Sequence, residues 1–387
     1  MLDLAFDQLA APDRGYPNLS LWRADPYTPG WRQYDQHWPH VVPLRLDLFL
    51  RELCLPARHH DVCVAPLGAW YPIGISWWNF DLDYISLIPA HTKDLIRQKH
   101  LRLLFYYHEG DNPSRIRDRI NQCLDHHDMA RSSAVLVCGN SAAATIPGCV
   151  YFDDFECWFS ALNKHQVPDS KVDRPAHLDF TVLSRTHKWW RATIMNDLRQ
   201  DGMLDRSVWS YGDISCGDQW SDNPIQCEDR ELEIRQFVAR GPYMADTFDR
   251  DQQNDHHKVN TALYTASHFH LVMETHFDAD QSGGSFLTEK TYKCIKYGQP
   301  FLIAGPAGSL AILREHGYRV FDAVLDNSYD LESNNTQRWN RLRRAIQQIS
   351  VNARNLSHAC RADVEHNQRL FLQRPRYSVN RLLEKLT

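Results

Sequence analysis

Threonine, glutamate and lysine follow one another at positions 288–290, an order that suits the opening turn of a helix. Thr288 is placed to be the N-cap, its hydroxyl accepting a hydrogen bond from a first-turn amide. The remaining amides and the positive end of the helix dipole make a seat for phosphate. Lys290 in that turn adds a mobile charge where a pyrophosphate needs neutralising. A lysine there opposes the dipole, so structure alone does not favour it. Glu289 offers an acceptor to the hydroxyls of a sugar. A plainer reading stays open, in which Glu289 and Lys290 are solvated first-turn residues.

A second group of carboxylates follows the apolar run that opens at Leu101. Transfer to a hydroxyl needs a base that takes the proton as the oxygen attacks. A departing diphosphate needs positive charge rather than an acid. Glu109 is the first candidate for the base and Asp111 the second. The competing reading is that Glu109 caps the helix beginning at Pro113. Asp153 and Asp154 read most simply as turn residues.

Strands alternating with helices must bring these residues to one edge. At 387 residues the chain is long enough for two domains. Residues 1–44, rich in Pro, Trp and Tyr, read as an irregular wrap. Residues 45–170 read as a first α/β domain, with a helix at 44–55 and strands at 84–89, 101–108, 134–141 and 148–152. A polar stretch at 163–175 is the expected linker. Residues 177–335 form the second α/β domain, with strands expected at 177–185, 269–275, 300–305 and 318–321, and loops around one helix over 212–260. Residues 336–387 are expected to be basic helices that cross back to the first domain. The predicted fold is therefore α/β, with two Rossmann-like domains facing across a cleft. Ligands of such sheets lie beyond the carboxyl ends of the strands, which singles out Glu109, Ser141, Asp153, Arg185, Glu274 and Gly305.

Glu274, a variable loop, the run Phe286-Leu-Thr-Glu-Lys-Thr-Tyr and then Gly298-Gln-Pro-Phe-Leu-Ile-Ala-Gly resemble the donor-binding motif of the α-1,3-fucosyltransferases. That motif runs Phe-Glu-Asn-Ser, a gap, Tyr-hydrophobic-Thr-Glu-Lys, then Gly-x-x-Pro-hydrophobic and a Gly after the next strand. The segment is also similar to glycosyltransferases of tailed phages, which share Leu-Thr-Glu-Lys-Thr and three later blocks in the same order. The likeness runs from Phe269 to about Tyr329. It implies a GT-B-type glycosyltransferase that uses a nucleotide-diphosphate sugar, with no cofactor. By the same resemblance Lys290 binds the donor diphosphate, Glu289 contacts the donor sugar, and Arg185 grips phosphate oxygens in bidentate fashion. Thr275 stands where the family has Asn, and Gly283-Gly-Ser-Phe replaces its Asp-Tyr approach, so GDP-fucose is not implied.

Other signals bound the function. No Gly-x-Ser-x-Gly, P-loop or GxGxxG pattern supports a hydrolase, kinase or dinucleotide oxidoreductase. Twenty histidines include the pairs His59–His60, His126–His127 and His256–His257. Adjacent side chains point apart on a helix or strand, and no HExxH frame is present, so no metal site is expected. Ten cysteines without a CxxC pair, and an acidic start where a signal peptide is basic, predict a cytoplasmic protein. No apolar run reaches the roughly 18 residues of a membrane helix. The net charge of −5 leaves any anion to a local patch. From Arg338 onward, eleven Lys or Arg face three acids. Arg341, Arg343 and Arg344 in that tail are expected either on a solvated helix face or along a phosphate backbone. Trp77 and Trp78 read as core residues or as a stacking platform for a sugar or splayed base. With the phage resemblance, the acceptor is expected to be a hydroxymethylated base in DNA or a glycan. The alternative is a sugar-nucleotide-binding or DNA-binding module without catalysis. Oligomeric state is not legible.

Overall fold

The computed structural model describes residues 2–6, 57–75, 83–86, 88–107, 109–163, 176–215, 217–245 and 260–387. The chain divides into two units, Met1–Leu162 with Pro375–Thr387, and Asn163–Arg374.

In the first unit, β1 (Leu2–Phe6), β2 (Ala57–Asp61), β3 (Ala69–Ile75), α1 (Ala90–Arg97), β4 (Leu101–Tyr107), α2 (Pro113–His126), β5 (Ala134–Cys138), β6 (Cys149–Tyr151) and α3 (Asp154–Asn163) follow in turn. The six strands run parallel in the order β2-β1-β3-β4-β5-β6. Helices cover both faces of such a sheet, which is why β4 is an almost unbroken apolar run. On one face Leu103, Phe105 and Tyr107 pack with Ile116 and Ile120 of α2. On the other, Trp70, Leu104 and Tyr106 pack with Val379, Leu382 and Leu386 at the chain's end.

Two expectations change in this unit. Leu2–Phe6 is not part of an irregular wrap: it is a strand paired to β2 along its whole length and to β3 at Leu4. Residues 84–86 form a turn, not a strand, because Asp83 Oδ1 accepts the amides of Ile85 and Ser86, both at 3.2 Å. The remainder of the wrap, the helix at 44–55 and most of the expected linker lie outside the described residues.

The second unit holds β7 (Leu178–His187), α4 (Trp189–Gln200), β8 (Ser207–Ser215), α5 (Glu231–Ala239), α6 (Thr261–Thr265), β9 (Ser267–Met273), α7 (Ala279–Ser282), α8 (Glu289–Lys296), β10 (Phe301–Ala304), α9 (Ser309–Glu315), α10 (Asn335–Ser350), α11 (Ala353–Ala359) and α12 (Arg361–Leu386). The last helix enters the first unit at Pro375. The strands are parallel in the order β10-β9-β7-β8. Thr288 caps α8, and Gly298 and Gly317 follow α8 and α9 at φ 61° and 88°, conformations that end a helix and suit glycine.

Here too the structure departs from expectation. The segment expected as loop from residue 212 opens with the end of β8, an edge strand whose apolar run Val208-Trp-Ser-Tyr is broken at Gly212-Asp213. Tyr318–Phe321 forms no strand. Arg319 N–H donates to Asn367 Oδ1 and Arg319 C=O accepts from Asn367 Nδ2, each at 2.8 Å, so a side-chain amide takes the place of a ladder partner. No helix of the described residues is long and apolar enough to cross a membrane, and no disulfide joins the described cysteines.

Candidate functional site

In the second unit the chain leaves β7 for β8 on one side and returns to place β9 on the other. The β7/β9 boundary is thus a topological switch point, where open parallel sheets bind ligands beyond the strands' carboxyl ends. Arg185, Thr186 and His187 close β7, and Glu274 and Thr275 follow β9.

Glu274 is fully buried. Its carboxylate accepts from the Thr288 amide at 3.2 Å, the Thr288 hydroxyl at 2.6 Å and the Thr291 hydroxyl at 2.6 Å. A buried charge is tolerated only when hydrogen-bonded, and here three donors and a helix N-terminus answer it. Glu274 is therefore the peg that holds α8 to the sheet. Gly305 stands behind it: a Cβ there would lie 3.5 Å from Glu274 Cβ and 3.1 Å from both Ile303 Cγ2 and Ser309 Oγ. Its carbonyl accepts from the buried Arg338 at 3.1 Å, so Gly305 is a packing position beside the site.

Lys290 folds back over the cap. Its Nζ donates to Thr288 Oγ1 at 3.0 Å, lies 3.5 Å from Thr275 Oγ1 and 3.5 Å from Glu289 Oε1. From the β7 side, Lys188 Nζ donates to the Thr275 carbonyl at 2.9 Å. Arg191 crosses the same boundary, donating to Glu274 O at 2.5 Å and Thr186 O at 3.3 Å. Lys188 and Arg191 escaped the sequence reading. The signal was available, since both open the helix that follows a predicted strand.

Arg185 sits at a β-bulge, where the register with β8 shifts between Ser184 and Thr186. Bulges re-aim side chains and occur beside active sites. Gly212 makes this one possible, because a Cβ there would lie 2.2 Å from Arg185 O. Arg185 and Glu289 both act on the Tyr264 hydroxyl. Burial raises that hydroxyl far above the usual phenol value, Cys294 and Glu289 add to the rise, and Arg185 opposes it. Arg185, Glu274, Thr288, Glu289, Lys290 and Gly305 thus all belong to the β7–β9–β10 edge of one sheet.

Glu109 and Asp111 lie at the carboxyl end of β4 in the first unit. The Tyr107 hydroxyl donates to Asp111, and Asn140 Nδ2 holds the Gly110 carbonyl at 2.8 Å. Burial, then the charge of Asp111 and its hydrogen bond, then the charge of Glu109, push the Tyr107 hydroxyl well above its ordinary value. Asn112, not Glu109, caps α2, accepting from Ser114 N–H at 3.0 Å. Glu109 is therefore not the N-cap of α2. Asp153 and Asp154, expected as turn residues, are buried at the start of α3: Asp153 accepts the Glu156 amide at 2.9 Å and Asp154 the Tyr106 hydroxyl at 2.5 Å.

Two of the three tail arginines meet carboxylates. Arg343 chelates Asp201 through two 2.6 Å contacts, and Arg341 reaches Glu332 at 3.0 Å. Arg344 Nε donates to Asn340 O at 3.3 Å. Arg341 and Arg343 are thus each engaged by an acid of their own unit, one near and one distant in sequence. Trp77 and Trp78 lie outside the described residues.

No family model matches the chain, and no curated protein matches it.

Proposed function

We propose that the protein is a glycosyltransferase that moves a sugar from a nucleotide-diphosphate sugar to an acceptor hydroxyl, with inversion and without an essential metal. The observation that carries this reading is the meeting of Lys188 and Lys290 on Thr275 at the β7/β9 switch point. Two ammonium groups that reach one residue, one at its carbonyl and one at its hydroxyl, give a diphosphate two cationic partners. The amides at the start of α8 add donors for the same anion. In this reading Lys290 and Arg185 bind the phosphates, Glu289 binds sugar hydroxyls, and Glu274 and Thr288 keep α8 in position.

The diphosphate departs with the electron pair of the anomeric C–O bond, and the cations stabilise its growing charge. Glu109 takes the acceptor proton as the new C–O bond forms. The reading includes a GT-B-like pairing of the two parallel-sheet units across a cleft, whose closure excludes water. The acceptor is a hydroxymethylated base in DNA or a glycan.

Calorimetry with UDP, GDP, TDP and CMP compounds, followed by product assay on hydroxymethylated DNA and simple glycans, tests it. Lys290→Ala is expected to weaken nucleotide-diphosphate binding about 10–100-fold, the effect of losing a charged hydrogen bond. Glu109→Ala is expected to abolish transfer and leave nucleotide binding intact. Unchanged binding in Lys188→Ala and Lys290→Ala would remove the donor site. Full activity in Glu109→Ala would remove the base, and tight nucleotide binding without turnover would favour a binding module.

A further inference from the structure

Asp83, His126 and His127 come together in the first unit at the far end of α2. His126 is the last residue of that helix and His127 its C-cap, with φ −104° and ψ 17°. Inside a helix adjacent side chains diverge by about 100°. Because the chain leaves helical geometry at His127, the two rings instead close to 5.0 Å, edge to face. One ligand atom from each of Asp83, His126 and His127 lies within 4.8 Å of the other two. His127 Nε2 is 2.7 Å from Asp83 Oδ2, while Asp83 Oδ1 is occupied by the Ile85 and Ser86 amides. The buried Cys123, one turn earlier on α2, hydrogen-bonds the Asp83 carboxylate. Arg97 fixes the cap by donating twice to His127 O, at 3.3 and 3.1 Å.

We propose that Asp83, His126 and His127 bind a divalent cation of the zinc class, with solvent in the fourth position on the exposed His126 side. Zinc takes imidazole nitrogen and carboxylate oxygen at about 2.0–2.2 Å, which sets tetrahedral ligand atoms about 3.3 Å apart. Three atoms already within 4.8 Å need only small side-chain rotations to reach that spacing. Calcium and magnesium favour all-oxygen sets, which this is not. The cation takes the place of the contact between His127 Nε2 and Asp83 Oδ2. The amides on Asp83 Oδ1 and the thiol of Cys123 become the outer partners that orient the carboxylate. The 14 residues of α2 span roughly 20 Å, from the Glu109 end of the sheet to this one. The ion therefore stands apart from the transfer chemistry, and its effect is to clamp the turn at 83–86 onto α2.

The test uses the full chain, untagged and stripped by a chelator. Titration with Zn2+ against a chromophoric chelator is expected to show one tight equivalent and a rise in Tm. His126→Ala, which removes an exposed ring, is expected to bind at least ten-fold more weakly with an unchanged metal-free Tm. Asp83→Asn is expected to lose the equivalent as well. Co2+ in place of Zn2+ should give visible d–d bands without a thiolate charge-transfer band. Absence of a tight equivalent, its retention in both variants, or a thiolate band overturns the site.

Discussion

Thr288 donates its hydroxyl proton to Glu274 Oε2 across 2.6 Å while its own amide reaches Oε1 at 3.2 Å. One residue thus caps α8 and fastens it to β9. A helix of 8 residues is too short to be stable alone in water, so its place depends on such fastening and on the burial of Tyr292, Cys294 and Ile295. The position of Lys290, and with it the proposed grip on the diphosphate, is therefore set by a carboxylate that never meets the ligand.

Glu274→Ala leaves three donors in the interior without their acceptor, each worth about 1–3 kcal/mol when stranded. A stability loss of about 3 kcal/mol or more is expected in urea unfolding, together with loss of nucleotide binding. Thr291→Val removes one donor and spares the other two, so about 1–2 kcal/mol is expected with binding kept. A Glu274→Ala protein as stable as the parent would show that the carboxylate does not hold α8.

Gly212→Ala drives a methyl into the Arg185 carbonyl, to 2.2 Å if nothing moves. Overpacking of this kind costs about 1–3 kcal/mol. The bulge must shift, so a lower Tm and weaker nucleotide binding should appear together. A drop in Tm with unchanged affinity would separate Arg185 from the donor site.

His270 is buried in β9 against Tyr264, ring centroids 5.1 Å apart. Burial pulls its pKa down to about 3, against a smaller opposing effect of Gln299. The unfolded chain takes up this proton near pH 6.5 and the folded chain only near 3. Between those values the unfolded state holds more protons, so stability falls as pH falls, by about 1.4 kcal/mol per pH unit. His270→Phe should lower that slope by one proton in urea titrations from pH 7 to pH 4. An unaltered slope would mean that His270 is protonated in the fold.

Arg343 stands 3.3 Å from the buried Asp197 and chelates Asp201. Burial raises the Asp197 carboxyl, while Trp339, Arg230 and Arg343 offset the rise. Arg343→Ala is expected to cost about 1–2 kcal/mol, an intermediate value for a pair between surface and core. DNA retention on a salt gradient should not move, because this guanidinium is engaged within its own unit. A reduced salt slope of about one charge would restore Arg343 to a phosphate-contacting role.

Several parts of the molecule were legible because their signals are local. The Thr288 cap, the stops at Gly298 and Gly317, and the apolar runs of β4 and β10 depend on few neighbours in sequence, and the structure has them where they were expected. Glu274 was grouped with Thr288, Glu289 and Lys290 by the motif they resemble, and the structure joins Glu274 to Thr288 and Lys290 to Glu289. Lys188 was not, since its meaning comes from Thr275, 87 residues away. Nor was β1, whose five residues acquire a role only beside β2 and β3.

By itself the sequence determined the α/β alternation, the helix boundaries near residues 288–317 and the chemistry available after each strand. Tertiary structure decided which of those residues meet. It placed Asn367 where a strand partner for Arg319 was expected, matched Arg343 to Asp201 from 142 residues away, and turned two adjacent histidines toward one aspartate. The physical reason is range. Caps, turns and apolar periodicity act through a few bonds along the chain, whereas charge pairing and side-chain hydrogen bonding act through space and take whatever partner the packed sheet presents.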